Sequence, residues 1–466
     1  MELASNHQDL LGQYLRRYQS LIGDRRTWKL FRGTMQGIIG AESLKVAQIV
    51  SHSPELSGAR NSAQRIRRMA RGETTRRSYL DSEHLVEKLQ AHAVEQLAGE
   101  DDLWVILDPS ELRKPYANEM QYLMKVRQLK GEGTVSGYRT LNALGVGRGG
   151  RRGILYHRLF SSHADDFLSE SKEIQGALNS VGQAVQGQER AITYVMDSQF
   201  DDEAVWGTIW EQGNHLLCRL KHQKRLVLVA EPSNSAEVAS VYRESTVEQA
   251  KAGLRELARL RTQMLVRKRG QRYQKRQSVT VIVSACPIRV RYQVDVRTRS
   301  DGPIREKDVY LVMVQLENVE TDPWLLLTDW PVEDEQDAER IYRMYRERWA
   351  IEDAFKFSKD VLGWEGVQLL DFEAVRTLVA MSWVAAGFLY QLGITLEWPE
   401  IRLLARLGGW EERQDRKPGK TVITRGLQRL LDHMVTETIL NDEIAAHGQL
   451  PPRIAAFLNI GKNAPS

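Results

Sequence analysis

The sequence predicts an α/β fold, with a sheet-bearing middle between helical regions at both ends. Three features predict it. Leu103-Trp-Val-Ile-Leu-Asp108 and Ala191-Ile-Thr-Tyr-Val-Met-Asp197 are short apolar runs, as strands buried on both faces are. Ser278–Ser284, Ile288–Val296 and Asp308–Gln315 alternate apolar and polar positions at the period of half-buried strands. Residues 332–361 repeat apolar positions at helical spacing, with acids in the first turns that suit a helix dipole. The chain has 466 residues, 42% of them hydrophobic, which is ample for two or three domains with their own cores.

The first hundred residues read as helical. Ser43 to Val50 forms a short amphipathic pattern, Ser53-Pro-Glu55 a turn, and Asn61 a cap for a helix through Arg65, Arg67, Arg68 and Arg71 that stops near Gly72. A helix, a turn and an Arg-rich helix fit a helix-turn-helix reader, or a basic helix on an ordinary bundle. Past Asp108, strands are expected at 134–144 and 154–161, with a helix at 164–186, a helix at 201–212 and a strand at 215–220. Gly145, Gly147 and Gly150 match the dinucleotide pattern, but a strand follows them, so a basic hairpin turn explains them better.

From 222 to 320 we expect an Arg-rich helical stretch (Val247 to Arg276), then strands at 278–284, 288–296 and 308–315. Together they form a β-rich basic insertion. Trp324–Thr328 is a returning strand, and Val332 to Val361 one long helix. Leu378 to Leu396 carries no charge over 19 residues, but Ser382, Gly387, Gln391, Gly393 and Thr395 make it a core helix rather than a membrane span. A helical end follows, with a polar loop at 411–420. Pro418-Gly-Lys-Thr421 lacks the glycine of a phosphate loop, since Gln414 stands in its place. The resulting divisions are 1–100, 101–221, 222–322, 323–396 and 397–466.

Net charge is only +4, but it is unevenly spread. Residues 16–77 hold 14 Lys/Arg against 4 Asp/Glu, and residues 251–300 hold 14 against 2. Two separated basic blocks fit a nucleic-acid binder, two solvated surfaces or an anionic membrane contact. Cys218 and Cys286 are too few for a disulfide framework or a four-thiolate zinc site. With no signal-peptide pattern at the start, a reduced cytoplasmic protein is expected.

The chemistry-bearing residues are acids. Tyr345, Arg348, Glu352 and Lys359 are spaced to share one helix face, beside the apolar stripe Met344, Ile351, Phe355 and Leu362. Asp108 and Asp197 each end an apolar run, where a side chain emerges at a sheet edge. Three carboxylates converging there need cations, or one is driven to protonate. Hard divalent ions such as Mg²⁺ or Mn²⁺ suit them, two per site for strand chemistry on phosphodiesters. For each Asp alone, a cap or an ion pair is the competing role.

The pattern resembles the bacterial insertion-sequence DDE transposases of the insertion sequence 4 family. Tyr345, Arg348, Glu352 and Lys359 match the Tyr-x2-Arg-x3-Glu-x6-Lys signature without a gap. The resemblance implies a ribonuclease H-like catalytic core with a β-rich insertion, an N-terminal helical DNA-binding region and C-terminal helices. It makes Asp108, Asp197 and Glu352 the metal ligands, with Arg348, Lys359 and Tyr345 on the DNA backbone. Trp324 resembles a base-stacking tryptophan, though a core anchor is equally open. Arg219 and His222 fall where relatives contact DNA, and Lys221 and Arg225 could share that task. The partners implied are double-stranded DNA (terminal inverted repeats and target) and a second protomer. Where relatives have Asp-Thr or Asp-Gly after the first acid, this chain has Asp108-Pro109.

Overall fold

A computed structural model describes residues 10–73, 80–100, 102–129, 133–147, 149–186, 192–231, 242–266, 275–293, 303–319, 321–411 and 417–457. Arg76 and Arg77 of the first basic block lie outside these, as do Arg148, residues 267–274 and 294–300 of the second block, and 412–416 of the C-terminal loop.

The α/β prediction holds. β1 (Leu103–Arg113) pairs antiparallel with β3 (Thr134–Gly147), which also pairs with β2 (Met124–Arg127) and β4 (Arg152–Phe160). On its other side β1 runs parallel to β5 (Thr193–Met196), and β5 runs parallel to β6 (His215–Arg219). The local order is therefore β4-β3-β1-β5-β6. The sheet continues through β12 (Trp324–Thr328), β11 (Arg305–Leu316) and β10 (Lys275–Tyr292). β10 is flanked by β9 (Arg255–Val266) along one part, and by β7 (Leu226–Ala230) along another, with β8 (Tyr242–Thr246) beyond β7. The strands between 226 and 316 thus extend the same twelve-stranded sheet.

The N-terminal helices are residues 10–21, α1 (Arg25–Ala41), α2 (Val46–Ser51), α3 (Ser62–Ala70) and α4 (Ser82–Gln96). α5 (Glu170–Val185), α6 (Glu203–Glu211) and a single turn α7 (Val247–Ala250) follow. Then come α8 (Glu335–Glu347), α9 (Trp349–Asp360), α10 (Phe372–Thr395), α11 (Trp398–Leu407), α12 (Lys420–His447) and α13 (Pro452–Phe457). α10 is the uncharged stretch, and it is a core helix, buried along most of its length. It packs on β4, α1, α3 and α4, so one apolar core joins the N-terminal helices to α8, α9 and one sheet face. A second core lies across the sheet, under α5 and α6.

Small residues allow the closest crossings. A Cβ on Gly37 of α1 would meet the Ile49 carbonyl oxygen at 2.1 Å, and one on Gly153 would meet the Ala93 Cβ of α4 at 2.8 Å. Gly153 therefore serves helix–sheet packing, while Gly150, at φ 79, serves the turn itself.

Four expectations are corrected. Residues 255–266 are strand β9 rather than helix, because a full antiparallel ladder to β10 overrides the helical propensity of its Arg, Leu and Ala. Among the described residues only 247–253 is helical there. The expected single helix at 332–361 is two, since the Arg348 amide bonds back to the Tyr345 carbonyl and the four-residue ladder breaks at that point. β1 does not end at Asp108. It runs on to Arg113 against β3 alone, and a strand with one neighbour tolerates Pro109. In the N-terminal region, residues 52–61 separate α2 from α3, far longer than the 3–4-residue turn of a helix-turn-helix. Asn61 sits at φ 60 and makes no capping bond through its side chain.

Candidate active site

Leu107 of β1 pairs in register with Met196 of β5, and this is where their parallel ladder ends. The next residue of each strand is an aspartate, so Asp108 and Asp197 leave the ladder side by side. This follows from topology, because parallel neighbours present the same end of each strand to one edge. Asp108 stays in β1, half-buried and paired with Asn142 of β3. Asp197 opens the short 3-10 turn 198–200, and its side chain accepts the Gln199 N–H at 2.8 Å.

Electrostatics register the proximity. Burial first, then the charge of Asp197, push the Asp108 carboxyl up to about 8, with Glu352 and Glu111 adding and Arg348 opposing. A half-buried acid beside a second acid is a site short of positive charge.

Glu352 comes from α9, which lies against β1 and β3. Its Oε1 accepts from Arg348 Nη2 at 2.7 Å. Arg348, at the break between α8 and α9, also lays its guanidinium over the Trp349 ring at 4.9 Å. Trp349 itself is 53% exposed. Lys359, the penultimate residue of α9, donates to the Ser110 hydroxyl at 2.8 Å, two residues along β1 from Asp108. Burial and the neighbouring Arg113 lower its pKa. Tyr345 is buried, with its ring 5.2 Å from that of Trp324, and burial pushes its hydroxyl up to about 12. Trp324 is half-buried as the first residue of β12.

Arg219 ends β6, half-buried, and its charge reaches Tyr345. His222 is exposed just beyond, with its backbone N–H on Asp201. Arg65, Arg67 and Arg68 are exposed on α3, and Arg71 closes that helix 3.7 Å from Glu73. α3 packs on α1, α2 and α10, and no contact among the described residues links these arginines to the three acids.

The structure thus brings Asp108, Asp197, Glu352, Arg348, Lys359, Tyr345, Trp324 and Arg219 to one sheet edge. His222 lies at the rim, and the α3 arginines stand elsewhere. Among the described residues no three Asp, Glu, His or Cys side chains are close enough to form a complete cation site. Asp108 and Asp197 suit a hard divalent ion by chemistry and position. Glu352 is engaged by Arg348 through Oε1.

Two participants were not singled out in the sequence. Ser110 holds Lys359, and Asp201 organises the turn after β6. Asp201 carried a weak signal: it precedes Asp202, which caps α6 through the Ala204 N–H, so one of two adjacent acids was left over for another task.

Residues 169–386 match the family model for the transposase DDE domain, and the match supports a transposase. The matched segment contains Asp197 and Glu352 and begins after Asp108. No curated protein matches the chain.

Proposed function

We propose that this chain is a DDE transposase of the insertion sequence 4 type, which cleaves DNA at the ends of its element and joins the freed ends to target DNA. The observation that carries the reading is the register of β1 and β5, which sets Asp108 beside Asp197 under α9 and Glu352. The order β4-β3-β1-β5-β6, an antiparallel meander followed by parallel neighbours, supports a ribonuclease H-like core.

Asp108, Asp197 and Glu352 would hold two Mg²⁺ or Mn²⁺ ions. Such ions, when bound, supply charge stabilisation at both the attacking and leaving oxygens of a phosphodiester. The protein's own part is positioning. Lys359 and Arg348 offer a point charge and a planar fork to backbone phosphates. Arg348 also fixes Glu352 until a competing positive charge arrives. Tyr345, held protonated, offers a hydrogen bond to the same backbone. Trp324 packs on Tyr345 from β12 and would present an aromatic edge to the DNA. Arg65, Arg67, Arg68 and Arg71 form a separate basic face that would grip the inverted repeat. Two protomers would pair the two ends, and the protein would work in the cytoplasm on the nucleoid.

Glu352→Gln keeps the side chain's shape and removes its charge. We expect duplexes carrying the inverted repeats to be bound as by the wild type, with strand cleavage reduced by at least about 10³-fold. Preserved cleavage in a gel assay would sink the assignment. Cleaved ends without joined product, in an assay that includes target plasmid, would point instead to a nuclease.

A further inference from the structure

We infer that Asp201 is a positioning residue that sets the turn after β6 against the DNA path, an inference that rests on the proposed function. Its carboxylate is almost wholly enclosed, with the side chain 1% exposed. One oxygen accepts the backbone N–H groups of Lys221 at 2.7 Å and His222 at 2.8 Å. The other accepts from Arg225 Nη2 at 2.7 Å, and the same nitrogen reaches the Asp201 carbonyl at 2.9 Å. The Arg225 guanidinium lies over the ring of Trp206 at 4.5 Å, and Trp206 Nε1 is bonded to the Phe200 carbonyl at 3.1 Å.

The arrangement is directional. Phe200 and Asp201 follow Asp197 within four residues, on the short turn that Asp197 itself begins. β6 lies next to β5 with Cys218 opposite Met196, so the turn after β6 leaves the sheet at the same edge as Asp197. Asp201 therefore ties the candidate acid's own turn to the neighbouring one. Arg225, counted from the sequence among the DNA-contacting cations, is instead consumed by Asp201 and Glu203. The exposed cations on this turn are Lys221 and Lys224, with His222 between them. A buried charge that accepts three bonds fixes a turn far better than a neutral one, because each bond is charge-assisted and none is shared with water. The turn's exposed side chains are then held at the site's edge without ordering cost when DNA binds.

The test measures binding of a duplex carrying the inverted repeat as a function of salt, together with the cleavage rate of the saturated complex. Asp201→Ala should weaken binding by roughly 10-fold near 0.1 M salt. It should also reduce the slope of log affinity against log salt by about two, as loss of two phosphate contacts requires. The cleavage rate at saturation should change much less than the affinity. Asp201→Asn keeps an acceptor for the two amides and should recover part of the loss. Lys221→Ala with Lys224→Ala leaves the carboxylate intact and should give the same reduced slope, which keeps the test valid if Asp201→Ala folds poorly. Wild-type affinity and slope in Asp201→Ala, or a wild-type slope in the double lysine variant, would overturn the placement while leaving the transposase reading intact. A wild-type protein that neither binds nor cuts the repeat would overturn both.

Discussion

Asp108 carries a heavy electrostatic load. Its carboxyl is ordinarily near 3.8 and is held at about 8 by burial and by Asp197. Between those values the folded chain retains a proton that the unfolded chain has lost. Stability is therefore highest below the unfolded value and falls as pH rises through the folded one. The full shift sets a ceiling of about 6 kcal/mol, and solvent at the open sheet edge reduces the effect to about 1–2 kcal/mol. Asp108→Asn removes the titration. In chelator, its melting temperature should match the wild type near about pH 4 and exceed it by a few degrees above about pH 8. Added Mg²⁺ should then stabilise the wild type at high pH and leave the variant unmoved. A variant no more stable than the wild type at high pH would show that Asp108 carries no repulsive load.

At the scale of elements, close backbone approach does what side chains cannot. Gly37 sits inside α1, where alanine is worth about 1 kcal/mol more than glycine by helix propensity. Yet a methyl there would overlap the Ile49 carbonyl and Cγ2 of α2. Overpacking against backbone costs about 1–3 kcal/mol, so it outweighs the propensity gain. Gly37→Ala should lower the urea midpoint with little change in slope, and a raised midpoint would show that α2 yields freely. The same contrast explains what was readable in the sequence. The runs at 103–107 and 192–196 read as strands because they are short, rich in β-branched and aromatic residues, and each ends at a polar residue, whereas the buried helix α10 is far longer. The break at Arg348 and the strand at 255–266 are not declared. The first depends on one amide choosing the Tyr345 carbonyl, and the second on pairing with the strand that follows it. Likewise Asp108, Asp197 and Glu352 were legible as acids on elements that meet, whereas Asp201 and Ser110 became visible only through the groups they hold.

At the scale of the whole molecule, the helices of residues 10–97 are built into the same core as the site. Tyr14 packs its ring 5.4 Å from Phe388 of α10 and donates its hydroxyl to the Val384 carbonyl at 3.0 Å. Gly387 leaves the room for it, since a Cβ there would stand 2.6 Å from the Tyr14 oxygen. Leu85 and Leu89 of α4 and Ile66 of α3 belong to the same apolar cluster, which runs on to Ile351 and Phe355 of α9. A DNA-reading unit that could be cut away would have its own core and a polar face toward the rest. Here the face of α10 turned toward the N-terminal helices is apolar, and removing those helices would expose it to water at about 25 cal/mol per Å². The full chain should therefore unfold in one calorimetric transition that includes the N-terminal helices, with tryptophan fluorescence and the far-ultraviolet signal changing together. A chain of residues 101–466 should aggregate when expressed alone, since an exposed apolar patch of that kind is a liability in water. A soluble, cooperatively melting 101–466 fragment would mean that the two parts are joined by contact but not by stability. The proposed end-binding role of the N-terminal helices would then be free to vary independently of the proposed catalytic edge.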